Sequence, residues 1–139
     1  MASNLLAAER FFRTKLSTLT ALTSIVGTRI YSETAPRGAH YPVAVFRWQG
    51  GRDAAVVKGS SLFLDELYAV KMVCTGNDYG PIEDAAEAIH EALEGASGSV
   101  EGGKVVYCNR EQPLKYTETV DGVTYRHLGG IYRIYSQKE

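Results

Sequence analysis

The residues that could bind a metal ion are few and widely spaced. His40, His90 and His127 are far apart along the chain, and Cys74 and Cys108 form no Cys-x-x-Cys pair. Zinc sites in proteins usually take their ligands from closely spaced pairs of such residues. The spacing therefore predicts no metal site and favours ordinary structural roles for these side chains.

One nucleophile and one base could form a catalytic pair. Cys74 and His127 would meet if their strands were neighbours, although Cys74 alternates with apolar residues and is better interpreted as a small core side chain. The chain has no G-x-S-x-G, phosphate-binding loop or dinucleotide fingerprint. The pairs Gly50-Gly51 and Gly102-Gly103 are interpreted as hairpin glycines. We predict no enzymatic activity, no catalytic residues and no cofactor.

Two predicted helices carry opposite charges on their outer faces. The first is basic and the second is acidic, with no Lys or Arg on the acidic one. Like charges three and four residues apart on a helix repel each other, and a basic surface on another copy would relieve this repulsion. The hypothetical subunit interface consists of Arg10, Arg13 and Lys15 against Glu83, Glu87 and Glu91. The alternative is that both faces are simply solvated.

A third charged segment lies at residues 49–61, which contain three glycines. It is interpreted as a long hairpin loop, either an ordinary exposed tip or an arm that contacts a partner. Its charged residues, with one just before it, are Arg47, Arg52, Asp53 and Lys58. A nucleic-acid-binding module would use Arg47, Arg52, Lys58, Arg110 and Arg126. The net charge of −1 argues against this reading.

The composition fits a single globular domain spanning residues 1–139. The 139 residues are 45% hydrophobic and 22% charged, which excludes a disordered chain or a disulfide scaffold. No apolar run approaches the ~18 residues of a membrane span, and the N-terminus lacks a secretory signal pattern. The two cysteines are expected to be reduced thiols.

The hydrophobic pattern predicts two helices and four to five strands. A first helix capped by Ser3 is weakened by Ser and Thr at residues 17–24, where we expect a break and a turn ended by Gly27. A second helix runs from Pro81 to a stop at Gly95. Predicted strands cover residues 43–48, 62–75, 105–110, 116–120 and 123–135, with a turn at Asp121-Gly122 and a bulge or kink at Gly129-Gly130. The order predicts an α+β fold: a mainly antiparallel sheet of about four to five strands with both helices packed on one face.

One stretch of the sequence resembles a known family. Residues 21–31 (ALTSIVGTRIY), 35–39 (APRGA) and 41–46 (YPVAVF) are similar to the pattern L-x-x-(L/I)-V-G-x-R-I-Y, A-P-x-G and (Y/F)-P-x-(V/A)-V-F. This pattern opens the tail-completion, or tail-terminator, proteins of long-tailed phages and prophages. The chain departs from it at Val73-Cys74, where relatives often carry a tryptophan.

The resemblance implies a structural virion protein without catalytic residues. Such a subunit is expected to form a ring, usually a hexamer, that caps the tail tube, ends its elongation and joins the tail to the head connector. Its expected partners are other copies of the chain, the tail tube protein and the connector, with DNA passing through the ring. The segment with Arg47, Arg52, Asp53 and Lys58 would face the lumen or the tube. The alternatives are a head–tail adaptor of the neck and the nucleic-acid-binding module.

Overall fold

Six strands form one sheet, and three helices cover one of its faces. The computed structural model describes residues 4–57 and 60–138. After a 3-10 turn at Asn4–Leu6, the elements are α1 (Ala7–Ser17), α2 (Thr20–Val26), β1 (Ile30–Ser32), β2 (Val43–Val57), β3 (Ser60–Thr75), α3 (Gly80–Leu93), β4 (Gly98–Val100), β5 (Gly103–Val120) and β6 (Val123–Lys138). The strand order is β1-β2-β3-β6-β5-β4. Every pair is antiparallel except the short β1–β2 pair.

The core lies between the helices and alternate residues of the long strands. Apolar side chains recur three and four positions apart on α1 and α3, so each helix presents one stripe to the sheet. On β3 the helix side receives Tyr68, Val70, Met72 and Cys74, because successive side chains of a strand point to opposite faces. The largest buried core side chains are Phe11, Phe12, Leu16, Leu22, Phe46, Met72, Ile82, Leu93, Tyr132 and Ile134. We call the opposite side of the sheet the open face.

The predicted break in the first helix is confirmed, but the turn after it is wrong. The Thr18 hydroxyl donates to the Thr14 carbonyl at 2.7 Å at the end of α1, and the chain then begins a second helix, α2. Gly27, at φ 60°, ends α2 as predicted. The chain therefore has three α-helices instead of two. The predicted cap at Ser3 lies outside the described residues.

The prediction of a loop at residues 49–61 is wrong. Strand β2 continues to Val57 and β3 begins at Ser60, with register shifts after Trp48 and after Asp53. Each bulge inserts an extra residue into β2, and the strand then resumes its pairing with β3. Gly50 and Gly51 therefore belong to a bulged strand, whereas Gly59 lies outside the described residues.

The two strands predicted at 105–110 and 116–120 are one strand. Strand β5 passes through Pro113 with a register shift between Arg110 and Gln112. Proline is tolerated where its nitrogen faces away from the partner strand. Short strands β1 and β4 were not predicted. They raise the sheet to six strands, which corrects the expected four to five.

Of the bulge or kink predicted at Gly129-Gly130, the bulge is wrong, because β6 keeps a continuous register there with β3 and β5. Gly129 instead allows β6 to lie close to β3, because it has no side chain. A Cβ atom on Gly129 would lie 2.6 Å from the Lys71 Cα atom and would also overlap the Val70 carbonyl oxygen.

Candidate functional site

A groove of about 350 Å³ opens on the open face of the sheet. Val43, Val45 and Val73 are buried together beneath it. The rings of Tyr41 and Tyr125 approach to 5.3 Å between their centroids at one side. The groove therefore combines an apolar floor with aromatic walls, which suits binding.

A polar cluster lines the same groove. Lys71, which is buried, donates to the Tyr116 hydroxyl at 2.7 Å, and the Tyr116 ring stacks on His127 at 4.2 Å. The Nε2 atom of His127 lies 2.8 Å from a Glu118 carboxylate oxygen. Burial lowers the pKa of His127, and the nearby Lys71 charge lowers it further, although Glu118 opposes the shift. Burial and the Lys71 charge thus favour the neutral imidazole, and a carboxylate oxygen of Glu118 can accept a hydrogen bond from its Nε2–H group.

Cys74 and His127 do not form the pair that the sequence allowed. In the β3–β6 register Val73 faces His127, whereas Cys74 faces Arg126 and belongs to the helix-side core. The Cys74 thiol instead lies 3.7 Å from the Asp78 carbonyl oxygen, and burial raises its pKa. A thiol on one side of the sheet cannot be activated by an imidazole on the other.

A second charged cluster surrounds Asp65 on the open face. This carboxylate is 1% exposed, and its Oδ2 atom lies 3.3 Å from Nε of Arg52. Arg133 donates to the other oxygen of Asp65 and also to Glu111. Arg52, predicted to face a lumen or a tube, is therefore engaged in an ion pair within its own chain.

The remaining residues of that predicted segment differ in their surroundings. Arg47 and Asp53 are exposed, whereas Lys58 lies outside the described residues. The neighbouring Trp48 donates its indole N–H to Oε2 of Glu66 at 3.1 Å. Glu66 is 6% exposed, its Oε1 atom is buried without a partner in the described part of the chain, and burial raises its pKa to about 7.

The basic residues of α1 are partly engaged within the chain. Arg10 donates to the Glu101 carbonyl at 3.0 Å. Arg13 donates to the Ile30 carbonyl at 3.0 Å and lies 5.1 Å from the Phe46 ring centroid. The Lys15 ammonium lies 5.6 Å from the centroid of the Phe11 ring. Much of the predicted basic surface thus already contacts groups of its own subunit.

The acidic residues of α3 are more available. Glu83, Glu87 and Glu91 are exposed, and none of them has an ion-pair partner among residues 4–57 and 60–138. The helix directs its apolar stripe into the core, so these carboxylates lie on its outer side. They remain candidates for a contact with another chain.

Of the five basic residues considered for nucleic-acid binding, Lys58 lies outside the described residues, and the other four do not share one surface. Arg47 and Arg52 line depressions of the open face. Arg126 donates to the Gly76 carbonyl at 3.0 Å beside Tyr79, which packs against the helix-side core. Arg110 covers Gly130 on that side with its aliphatic stem. A single basic patch made of these residues is therefore absent from the described part of the chain.

The two outer strands of the sheet are only partly covered. On the outer side of β5, strand β4 pairs with Gly103–Val105. The residues at the end of α3 cover the next backbone groups of β5. The Gly95 amide donates to the Cys108 carbonyl at 2.7 Å, and the Arg110 amide donates to the Glu94 carboxylate at 3.1 Å. Beside β2, β1 pairs with Ala44–Phe46, and the Trp48 amide donates to the Glu33 carboxylate at 3.1 Å. Beyond these contacts, residues 111–120 of β5 and 49–57 of β2 form edges with no further paired strand among residues 4–57 and 60–138.

Comparisons with known proteins identify the family of the chain and a protein with a similar fold. The family model described as "Tail completion protein gp17" matches residues 12–128. The chain belongs to this family. The fold is similar to that of a chain in the "Virion of native gene transfer agent (GTA) particle", with a TM-score of 0.68, 16% sequence identity and coverage of 91% of each chain. No curated protein matches.

The family resemblance expected from the sequence is thus confirmed. A tail completion protein is a structural component of the virion tail and takes part in its assembly. No helix in the described part of the chain is long and apolar enough to cross a membrane.

In this tail completion protein the structure adds features that sequence reasoning missed. Asp65 and Glu66 are adjacent, yet they are buried on opposite faces with different partners. Their only sequence signal is two consecutive carboxylates inside an otherwise apolar strand. The two exposed strand edges leave no local signal, because they depend on where the short strands β1 and β4 end.

Proposed function

We propose that this tail completion protein forms a ring that caps the tail tube, ends its elongation and joins the tail to the head connector. The observation that carries the proposal is the family match over residues 12–128. The proposed role is structural and not catalytic, in keeping with the separation of Cys74 and His127 on opposite faces of the sheet. The proposed partners are further copies of the chain, the tube protein and the connector, with DNA passing through the ring.

The shape of the subunit supports a ring. Contacts in a ring are head-to-tail, so each subunit must present two different surfaces that fit each other. The sheet ends in β1 and β2 on one side and in β5 and β4 on the other, so its two sides differ. Symmetric dimers use the same surface twice and need no such difference.

The charged helix faces are proposed as a second contribution to this contact. Exposed Glu87 and Glu91 on α3 would lie against the basic side of α1 in the next copy. Replacing both with lysine is expected to weaken ring assembly, and replacing both with glutamine is expected to weaken it less. Because exposed charges are screened, assembly should also weaken between 0.1 and 1 M salt, where the Debye length falls to about 3 Å. Equal assembly by all variants at both salt concentrations would remove these faces from the interface.

The ring is tested by native mass over a wide concentration range, with negative-stain images of the same samples. A closed ring of about six copies is expected. A chain that stays monomeric in solution and does not assemble on tube tips would contradict the proposal. Binding to purified connector without binding to the tube would favour the adaptor of the neck, whereas salt-sensitive binding to DNA alone would favour the nucleic-acid-binding module.

A further inference from the structure

The exposed edge of β5 carries a row of backbone groups without partners in the described chain. Hydrogen-bonded and non-hydrogen-bonded pairs alternate along an antiparallel ladder. The Arg110 amide points to Glu94 and away from β6. The alternation continues along β5 beyond the bulge that follows Arg110. The backbone polar groups of four further residues therefore also point away from β6: Pro113, Lys115, Thr117 and Thr119. The same assignment follows from the other end, since the two-residue turn at Asp121-Gly122 makes Val120–Val123 a hydrogen-bonded pair. We call residues 111–120 the β5 edge.

A matching row lies along β2. The Phe46 carbonyl accepts from the Glu33 amide at 2.9 Å, and the Trp48 amide points to the Glu33 carboxylate, so these groups face away from β3. Counting past the bulge after Trp48 places the outward backbone groups at Gly51 and Asp53. Among the described residues no other element covers them. We call residues 49–57 the β2 edge.

Exposed strand edges are templates for pairing with another chain, and proteins usually cover, shorten or charge them. Here each edge extends for about ten residues, long enough for several cross-chain hydrogen bonds. We propose that the β5 edge of one copy pairs with the β2 edge of the next copy, so that the sheets join into one continuous sheet around the ring. This inference rests on the proposed ring and names its contact surface.

The strand directions fit this pairing. Strands β2 and β5 run in opposite directions, because three antiparallel pairings separate them along the order β2-β3-β6-β5. In a ring whose copies all point the same way, the β5 edge therefore meets the β2 edge in antiparallel orientation. Antiparallel pairs are slightly more stable per residue than parallel pairs.

The position of the two edges also fits a closed ring. Within one subunit, Gly51 pairs with Glu66, Glu66 pairs with Ile134, and Ile134 pairs with Cys108. Gly51 of β2 and Cys108 of β5 therefore lie at the same height in the sheet. The Cys108 carbonyl already accepts from the Gly95 amide, so Gly51 of the next copy cannot pair with Cys108. The next copy must therefore be displaced along the strand direction. Strands in closed barrels tilt by about 40°. The four long strands of one subunit span about 19 Å across the sheet. Over this width such a tilt displaces the next copy by about 16 Å along the strands, which corresponds to about five residues. Because Cys108 is covered, the displacement runs toward higher residue numbers of β5, which brings Gly51 opposite Pro113 or Lys115 and Asp53 opposite residues 111–113.

The pairing is tested by cysteine cross-linking of assembled full-length chains. Asp53→Cys is combined in turn with Glu111→Cys, Pro113→Cys and Lys115→Cys, which bracket the displaced register, and the samples are oxidised or treated with a short bis-maleimide. Cys74 and Cys108 are buried and give little background. We expect one of the three pairs to form intermolecular cross-links at least tenfold above the single-cysteine variants, because a fixed register brings one pair closest. The pair Arg13→Cys with Glu87→Cys reports the helix-face contact separately.

A second test removes one outward donor inside the displaced register. Lys115→Pro deletes an amide N–H that points away from β6, and Pro113 shows that proline fits at such a position, so the subunit itself should remain folded by circular dichroism. The expected result is at least a tenfold rise in the concentration for half-assembly, with little change for the matched control Lys115→Ala. Wild-type assembly by Lys115→Pro would overturn the inference.

The outcomes separate this inference from the proposed function. Rings of normal mass in which none of the three pairs cross-links above the single-cysteine background overturn the edge pairing and leave the ring intact. Monomers at every concentration and on tube tips overturn both.

Discussion

Glu66→Gln is expected to change how the stability of the protein depends on pH. The buried Glu66 carboxyl accepts the Trp48 indole N–H on one oxygen, and burial raises its pKa from 4.5 to about 7. The folded state therefore holds the proton more tightly than the unfolded state does. The resulting stabilisation is full below pH 4.5 and is lost as the pH rises through about 7. Glutamine has the same shape, keeps an oxygen for Trp48 and cannot ionise.

The size of the effect follows from the two pKa values. The difference between 4.5 and about 7 corresponds to about 3 kcal/mol. We expect Glu66→Gln and the wild-type protein to have similar free energies of unfolding near pH 4.5. Above pH 7.5 the variant should be more stable by up to about 3 kcal/mol.

Urea unfolding at several pH values between 4.5 and 8 measures this difference. Trp48 is the only tryptophan, so its fluorescence reports directly on the site. Glu87→Gln, on the exposed side of α3, is the control and should differ from wild type by less than about 0.5 kcal/mol at every pH. A gap between Glu66→Gln and wild type that stays constant from pH 4.5 to 8 would refute the reasoning.

Three further predictions concern stability and thiol reactivity. Gly129→Ala should lower the free energy of unfolding by about 3 kcal/mol in urea, because the new Cβ would lie 2.6 Å from the Lys71 Cα atom; a loss below about 1 kcal/mol would show that the strands separate easily. Asp65→Asn should cost about 2 kcal/mol because it removes the buried negative charge to which Arg52 and Arg133 both donate, whereas Arg52→Ala, on a side chain that is 75% exposed, should cost under about 1; similar losses would contradict this assignment. Thiol reagents should label neither cysteine until the chain unfolds, because burial raises the pKa of Cys74 and raises that of Cys108 to about 12; rapid labelling of the native chain would disprove this.

The helix α3 and the last hairpin could be predicted because their signals are local. Pro81 and Gly95 mark the ends of an apolar stripe that includes Ile82 and Ile89, and the observed helix is Gly80–Leu93. Asp121-Gly122 is a strong turn signal, and the structure pairs Val120 with Val123 around it. Local chemistry determines both elements, so the sequence was sufficient.

The extended hairpin of β2 and β3 could not be predicted because its partners are distant in sequence. Glycines at 50 and 51 indicate a loop when read locally. In the fold, β3 pairs with β6 over its whole length from Phe63 to Thr75, and this platform keeps β2 extended as far as Val57. Long-range strand pairing thus overrides the local turn preference.

The candidate site was predictable only in part for the same reason. The exposed carboxylates of α3 follow from helical spacing, and the structure agrees. Burial of Asp65 depends on Arg133, and burial of Glu66 depends on Trp48, and no periodicity links these residues. The predicted lumen-facing role of Arg52 was assigned without its ion pair to Asp65, which only the register of β2 and β3 reveals.

Tube elongation in the presence of the chain tests the proposed function most directly. The tail tube protein of the same virion is polymerised with and without the purified chain, and tube lengths and tube ends are measured by electron microscopy. We expect short tubes of limited length with a ring on one end, and Lys115→Pro should leave tubes long. Tubes with an unchanged length distribution and bare ends, at saturating amounts of the chain, would contradict the proposal that it terminates the tail.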